Sequence, residues 1–135
     1  MNIIESAQSA RRLKRIMCNQ HSDSTGHGKI SAIVFQFAAG NDLALKVDTE
    51  TDELVWDEAA ALAVTSVDLI TLCPLVAKAY GLSLTWCWEM KNHQGYFDAV
   101  QLELTDMTLA NAVILQFKVA ASSIGIFEVS SPRPQ

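Results

Sequence analysis

The residues best suited to chemistry lie around one predicted hairpin turn. Trp88, His93, Tyr96 and Asp98 place two aromatic rings, an imidazole and a carboxylate close together along the chain. Aromatic rings can stack on a ligand, and a carboxylate on an apolar strand face must be paired or lie near the rim. We therefore predict these four residues as a candidate ligand-binding site at the open end of a curled sheet.

Each of these residues also has a structural interpretation. Asp98 can accept hydrogen bonds from the loop amides of residues 92–95, and His93 can be an exposed turn residue. Trp86 and Trp88 fit a core position, or a stacking wall for a ligand or partner strand if the sheet curls into a groove. Cys87 alternates with the tryptophans, so it is expected on the polar, accessible face of its strand.

No catalytic set or metal site can be assembled from the other candidate residues. Cys18, His21 and His27 are ligand types suited to zinc, but no fourth ligand is evident. The acidic stretch 48–53 lacks the central glycine and distal glutamate of an EF-hand, which favours a solvated turn. The chain has no P-loop, GxGxxG, HExxH, GxSxG or CxxC motif. We expect no cofactor and no metal, and favour a protein that is not an enzyme.

The hairpin that positions the candidate site is the clearest element in the sequence. Residues 82–91 alternate so that Leu84, Trp86, Trp88 and Met90 share one face. A three-residue loop ending at Gly95 would pair Trp88 with Val100 and Trp86 with Leu102. Such loops require a left-handed last residue, so Gly95 is predicted at positive φ.

The rest of the chain predicts a helix followed by more strands. Three- and four-residue apolar spacing indicates a helix over residues 2–18, and Pro74 and Gly81 bracket a short helix over 75–80. Further strands are predicted over 30–37, 43–47, 54–56, 112–120 and 124–129. The domain assignment is an N-terminal helix and polar linker (1–29), one domain (30–130) and a frayed tail (131–135).

This pattern predicts an α+β fold. Its sheet would be antiparallel, mostly a meander, twisted, and built of six or seven strands, with an N-terminal helix and a short helical insertion. A small β-barrel with an appended helix is the alternative.

Composition narrows the function classes. Of 135 residues, 50% are hydrophobic and 19% are charged, which argues against disorder, and no apolar run is long enough to span a membrane. Residues 1–29 carry a net charge of +3 and the remainder −8, so nucleic-acid binding through the acidic body is disfavoured. The basic cluster Arg11–Arg15 would be an arm for an acidic partner or nucleic acid, or simply a solvated helix face. Three cysteines form no disulfide framework, which favours a bacterial-type cytoplasm.

The string WEMKNHQGYFD at Trp88–Asp98, preceded by VDTETDEL at Val47–Leu54, resembles a pattern from small uncharacterised bacterial proteins of the domain-of-unknown-function type. The shared hairpin pattern is W-x3-N-x2-G-Y-x-D, and the resemblance covers roughly residues 30–105. It implies no mechanism. Some small proteins of this kind are encoded beside toxins and act as immunity partners, which is an analogy only.

Two functions remain after these exclusions. The first is a non-enzymatic binding or interaction module, acting as a homodimer or as the partner of another protein, because apolar residues are plentiful and strand edges need covering. The second is a small-ligand or enzymatic pocket at the Trp88, Tyr96 and Asp98 end of the sheet.

Overall fold

Two antiparallel sheets make up most of the computed structural model, which describes residues 12–19, 21–22, 28–39, 42–58, 67–106 and 111–129. The strands are β1 (Leu13–Cys18), β2 (His21–Ser22), β3 (Gly28–Lys29), β4 (Ala32–Phe37), β5 (Leu43–Asp48), β6 (Glu53–Glu58), β7 (Val67–Asp68), β8 (Ser83–Lys91), β9 (Phe97–Thr105), β10 (Ala112–Ala120) and β11 (Ser123–Val129). Two 3-10 helices, Leu69–Thr71 and Pro74–Ala79, lie between β7 and β8.

The strand order separates the two halves of the chain. One sheet has five strands in the order β6-β5-β4-β1-β7, and the other has four in the order β11-β10-β9-β8. Strands β2 and β3 form a separate two-stranded ribbon. Strand β8 is therefore an edge strand, whereas β9 and β10 lie inside their sheet.

The core lies between the two sheets. Phe35 of β4 and Phe117 of β10 are almost fully buried, and their rings meet edge to face at 5.3 Å. Around them the inward-facing residues of both sheets form one apolar cluster that also includes Leu69, Val76 and Ala79 of the helical segment. Burial of these side chains is the main favourable term for the fold.

The predicted α+β class is wrong, and so is the barrel alternative. The described chain is mostly β, with two separate sheets that do not close into a barrel. Residues 13–18, predicted as the end of the N-terminal helix, form β1 in the interior of the five-stranded sheet; the rest of that predicted helix lies almost wholly outside the described residues. The register of β1 against β4 shifts between Leu13 and Arg15, so buried Leu13 and Ile16 are three residues apart. Because of this bulge, buried residues of a strand have the three-residue spacing that is typical of a helix, which explains the wrong prediction.

The predicted short helix is present, as a 3-10 rather than an α-helix. Pro74 opens it, and Gly81 follows with φ +89°. The Gly81 N–H donates to the Leu13 carbonyl, and Leu13 N–H donates to the Leu82 carbonyl, each at 2.8 Å. These bonds tie the start of β8 to β1 across the two sheets.

The acidic turn after β5 also links the two sheets through side-chain hydrogen bonds. Asp52 Oδ1 accepts from the Ser122 N–H at 2.8 Å, and Glu53 Oε2 accepts from the Phe97 N–H at 3.1 Å. The sequence predicts a solvated turn here, and nothing in it indicates these two backbone partners. Both carboxylates satisfy backbone donors at the turns of the opposite sheet.

Candidate interaction surface

Two β-bulges decide which side chains of β8 face outward. Asp98 is an extra residue in β9, and Thr85 is an extra residue in β8. Between these bulges Trp88 pairs with Gln101 and Trp86 with Glu103, one position away from the predicted pairs. The two shifts cancel, so the predicted register holds again where Leu84 pairs with Leu104 and Lys91 with Phe97.

The bulge at Thr85 breaks the predicted apolar face of β8 in two. Leu84 and Cys87 are buried, whereas Trp86 and Trp88 keep 41% and 40% of their surface exposed and Met90 is equally open. The prediction that Cys87 is accessible is wrong, and the tryptophans are not core. We call Trp86, Trp88 and Met90 the β8 outer stripe. The two indole rings lie 6.2 Å apart, tilted by 56°.

Polar side chains separate the β8 outer stripe from a third exposed ring. Across the sheet, Trp88 pairs with Gln101, Gln101 with Gln116, and Gln116 with Phe127. The amide of Gln101 donates to Gln116 Oε1 at 2.7 Å, which fixes the middle of the row. The outer face therefore presents exposed aromatic rings at both edge strands.

The hairpin turn has the predicted form. Asn92 N–H donates to the Tyr96 carbonyl at 2.9 Å and Gly95 N–H donates to the Asn92 carbonyl at 2.9 Å, leaving a three-residue loop with Gly95 at φ +88°. The side chain of Asn92 accepts from the N–H groups of Gln94 and Tyr96. Asn92 thus has the capping role that the structural interpretation gave to Asp98.

The four predicted site residues lie around this hairpin end. His93 and Tyr96 are exposed, Trp88 belongs to the β8 outer stripe, and Asp98 is half-buried at its bulge. Within the described residues, the Asp98 carboxylate has no hydrogen-bond or ion-pair partner. Their joint action on one ligand stays a prediction.

The outer edge of β8 has no backbone partner from residue 85 to residue 91 among the described parts of the chain. The edge carries Glu89 and Lys91, both exposed. Glu89 Oε1 accepts from the Trp56 indole N–H at 2.9 Å. The sequence does not indicate a role for Glu89 and Lys91, because a strand's position at the edge of a sheet depends on which other strands pair with it.

The thiols are unsuited to nucleophilic chemistry. Burial, with a smaller contribution from the Glu89 carboxylate, raises the pKa of the Cys87 thiol to about 12. Burial and the Asp68 carboxylate raise the pKa of Cys18 to about 11, and burial also raises the pKa of Cys73. A thiolate is the reactive form, so all three thiols are held in the inert state near neutral pH.

Among the residues whose positions the structure gives, no three His, Cys, Asp or Glu side chains are grouped so as to hold a metal ion. His27 of the Cys18, His21 and His27 set lies outside these residues. No helix within the described ranges is long and apolar enough to cross a membrane.

Comparison with known proteins yields a family but no activity. A family model matches residues 1–133, and its description is a family of unknown function, DUF6334. No curated protein and no solved structure matches the chain.

Proposed function

The chain belongs to the DUF6334 family, and we propose that it is a non-enzymatic protein-binding module. The β8 outer stripe carries the proposal, because it places two exposed indoles and a methionine side by side on one strand. Tryptophan and methionine are enriched at protein interfaces, and tryptophan is over-represented among the residues that dominate binding energy. Exposed aromatic side chains grouped in this way favour a contact surface.

The open edge of β8 supports the same function. Unpaired N–H and C=O groups on an edge strand can bind the backbone of an added strand, while side chains of alternate residues supply specificity. Here both features lie on one strand. The partner is a protein, either a second copy of this chain or another chain, and an immunity-type role would be one instance. Three free cysteines, two of them buried, suit a reducing compartment such as a bacterial cytoplasm.

The test compares the wild-type chain with a double variant, Trp86→Ser with Trp88→Ser. The matched control is Val55→Ser, because Val55 is similarly exposed on the other sheet. Sedimentation velocity measures self-association, and quantitative affinity purification from the producing cells measures binding of other chains. Wild type and control should form the same complex, and the double variant should lose it while it keeps the far-ultraviolet circular dichroism of a folded chain and still melts in one cooperative transition. Association that is absent, or that persists without both tryptophans, overturns the proposal.

The unpartnered Asp98 carboxylate favours a second candidate, a small-ligand site at the hairpin end. A carboxylate without a partner, in a hairpin that also carries exposed aromatic residues, suits a small cation, which can bind to the face of an indole or phenol ring. Titration with tetramethylammonium, followed by tryptophan fluorescence, should then give a saturable change that Asp98→Asn abolishes. A response that does not saturate, or one that the substitution leaves intact, eliminates this candidate.

A further inference from the structure

We propose that β8 pairs antiparallel with β8 of a second copy, so that two four-stranded sheets become one continuous sheet. The inference rests on the proposed function and names the partner of that surface. A twofold axis, the symmetry of most homodimers, brings the same surface of each copy together, so β8 of one copy meets β8 of the other.

The backbone of β8 is oriented for such pairing. Asn92, the residue after β8, donates its N–H to the carbonyl of Tyr96, the residue before β9, so this peptide group points to the β9 side of the strand. Because alternate residues of an antiparallel strand direct their peptide groups to opposite sides, Lys91, Glu89 and Cys87 direct theirs to the open edge. The bulge at Thr85 and the bridge between Arg12 and Ser83 close the other end of this edge.

These peptide groups restrict the possible registers. Symmetric pairing must place edge-directed residues opposite one another, and only a twofold axis beside Trp88, Glu89 or Met90 does so for at least two of these three residues. An axis at Glu89 sets two carboxylates against each other, and an axis at Trp88 sets Glu89 against a cysteine. An axis at Met90 sets Glu89 opposite Lys91 of the partner subunit, and does so twice. Charge complementarity therefore selects the axis at Met90.

The side chains are free to make these contacts. Lys91 is exposed and has no ion-pair partner among the described residues. The hydrogen bond from Trp56 holds Glu89 through Oε1. On the outer face the two Met90 side chains meet, and Trp88 comes within diagonal reach of the partner subunit's Met90. Pairing thus covers Met90, part of Trp88 and the edge from residue 89 to residue 91, and it leaves Trp86 beyond the paired segment.

The experiment uses charge reversal in the full chain and sedimentation velocity over a wide concentration range. Wild type should dimerise, and Glu89→Lys and Lys91→Glu should each weaken the dimer by roughly tenfold, because like charges then face each other twice. An equimolar mixture of the two variants should form a heterodimer about as readily as the wild type dimerises, and roughly tenfold more readily than either variant alone forms a homodimer, since two lysines then face two glutamates. Lys118→Glu changes an exposed lysine on the same outer face but on an interior strand, and should leave the dimer unchanged.

The outcomes separate this inference from the proposed function. A wild-type chain that stays monomeric, or variants that do not recover on mixing, overturns β8 pairing. If such a monomer still binds another protein through Trp86 and Trp88, the proposed function stands and only the identity of its partner is wrong. If wild type dimerises but the Trp86→Ser, Trp88→Ser variant associates equally well, the proposed surface is wrong.

Discussion

The two hairpins of the four-stranded sheet are built differently. The β10–β11 hairpin runs in one register from Ile114 opposite Val129 to Ala120 opposite Ser123. The β8–β9 hairpin changes register twice, at Asp98 and at Thr85. The regular hairpin contributes Phe117 to the core, and the bulged hairpin presents two indoles outside it.

This difference shows what the bulges achieve. An extra residue in a strand lets neighbouring apolar side chains leave the strict alternation that a regular ladder imposes. In β8 the bulge at Thr85 buries Leu84 and Cys87 while Trp86 and Trp88 face outward. A regular β8 in the predicted register would have placed Leu84 and both indoles on the same face.

Deleting one residue from each hairpin should give the largest difference in stability between the regular and the bulged hairpin. Removing Gln116 puts Leu115 and Phe117 on opposite faces, so half of β10 leaves the core and the chain should not fold. Removing Asp98 takes out the bulged residue and preserves every neighbouring pair, so the chain should fold with a modest loss of stability. Circular dichroism and thermal melting measure both; equal damage from the two deletions would contradict the assigned bulge.

Substituting one aromatic residue of each hairpin should give the next largest effect. Phe117→Ala removes a fully buried ring that contacts Phe35, and should lower the free energy of unfolding by about 3–5 kcal/mol. Trp88→Ala removes a half-exposed ring and should cost about 1 kcal/mol or less in the monomer. Urea titration of both variants gives the comparison, and a Trp88 effect as large as that of Phe117 would place the indole in the core.

The turn of the bulged hairpin depends on one glycine. Gly95 has φ +88° and open space around its Cα, so a side chain there meets backbone strain rather than a clash. Gly95→Val should therefore lower the free energy of unfolding by at least about 1 kcal/mol. Gln94→Val, at the preceding loop position, is the control and should cost less in the same urea titration.

Substitutions in the turn of the regular hairpin should increase the stability of the chain. Ala121 and Ser122 have φ 52° and 62°, the left-handed pair of a two-residue turn, without the residues that favour it. Changing them to Asn and Gly should raise stability by about 1 kcal/mol. The bond from the residue-122 N–H to Asp52 is retained, because glycine also has this donor. An unchanged melting temperature would show that the turn carries no strain.

Alkaline pH should give the smallest effect. The pKa of Cys87 is raised to about 12 in the folded chain, so its contribution to stability is complete below the ordinary thiol pKa near 9 and is lost as pH rises toward 12. Melting temperature should therefore fall above about pH 9. Cys87→Ala should reduce this decline without removing it, since the pKa values of Cys18 and Tyr80 are raised as well. A decline identical in wild type and variant would contradict the buried thiol.

Sequence reasoning succeeded where the chemistry is local. Gly95 at positive φ, the proline-opened helix after Pro74 and the alternating strand β10 depend on the conformational limits of single residues or on strict period-two spacing. It failed at β1, where a bulge gave Leu13 and Ile16 helical spacing. It also missed the contacts of Asp52 and Glu53, because their backbone partners are distant along the chain.

The sequence by itself determined most of the strands, the Gly95 turn and the division of charge between a basic segment (1–29) and an acidic remainder. Only the tertiary structure decided which face of β8 is exposed, that β8 lies at an edge, and that Glu89 and Lys91 stand beside two outward-facing indoles. The physical reason is that strand order and the position of a bulge depend on which side chains are buried when all the strands pack together. A single strand carries the alternation of its side chains, but its neighbours determine the side that is buried.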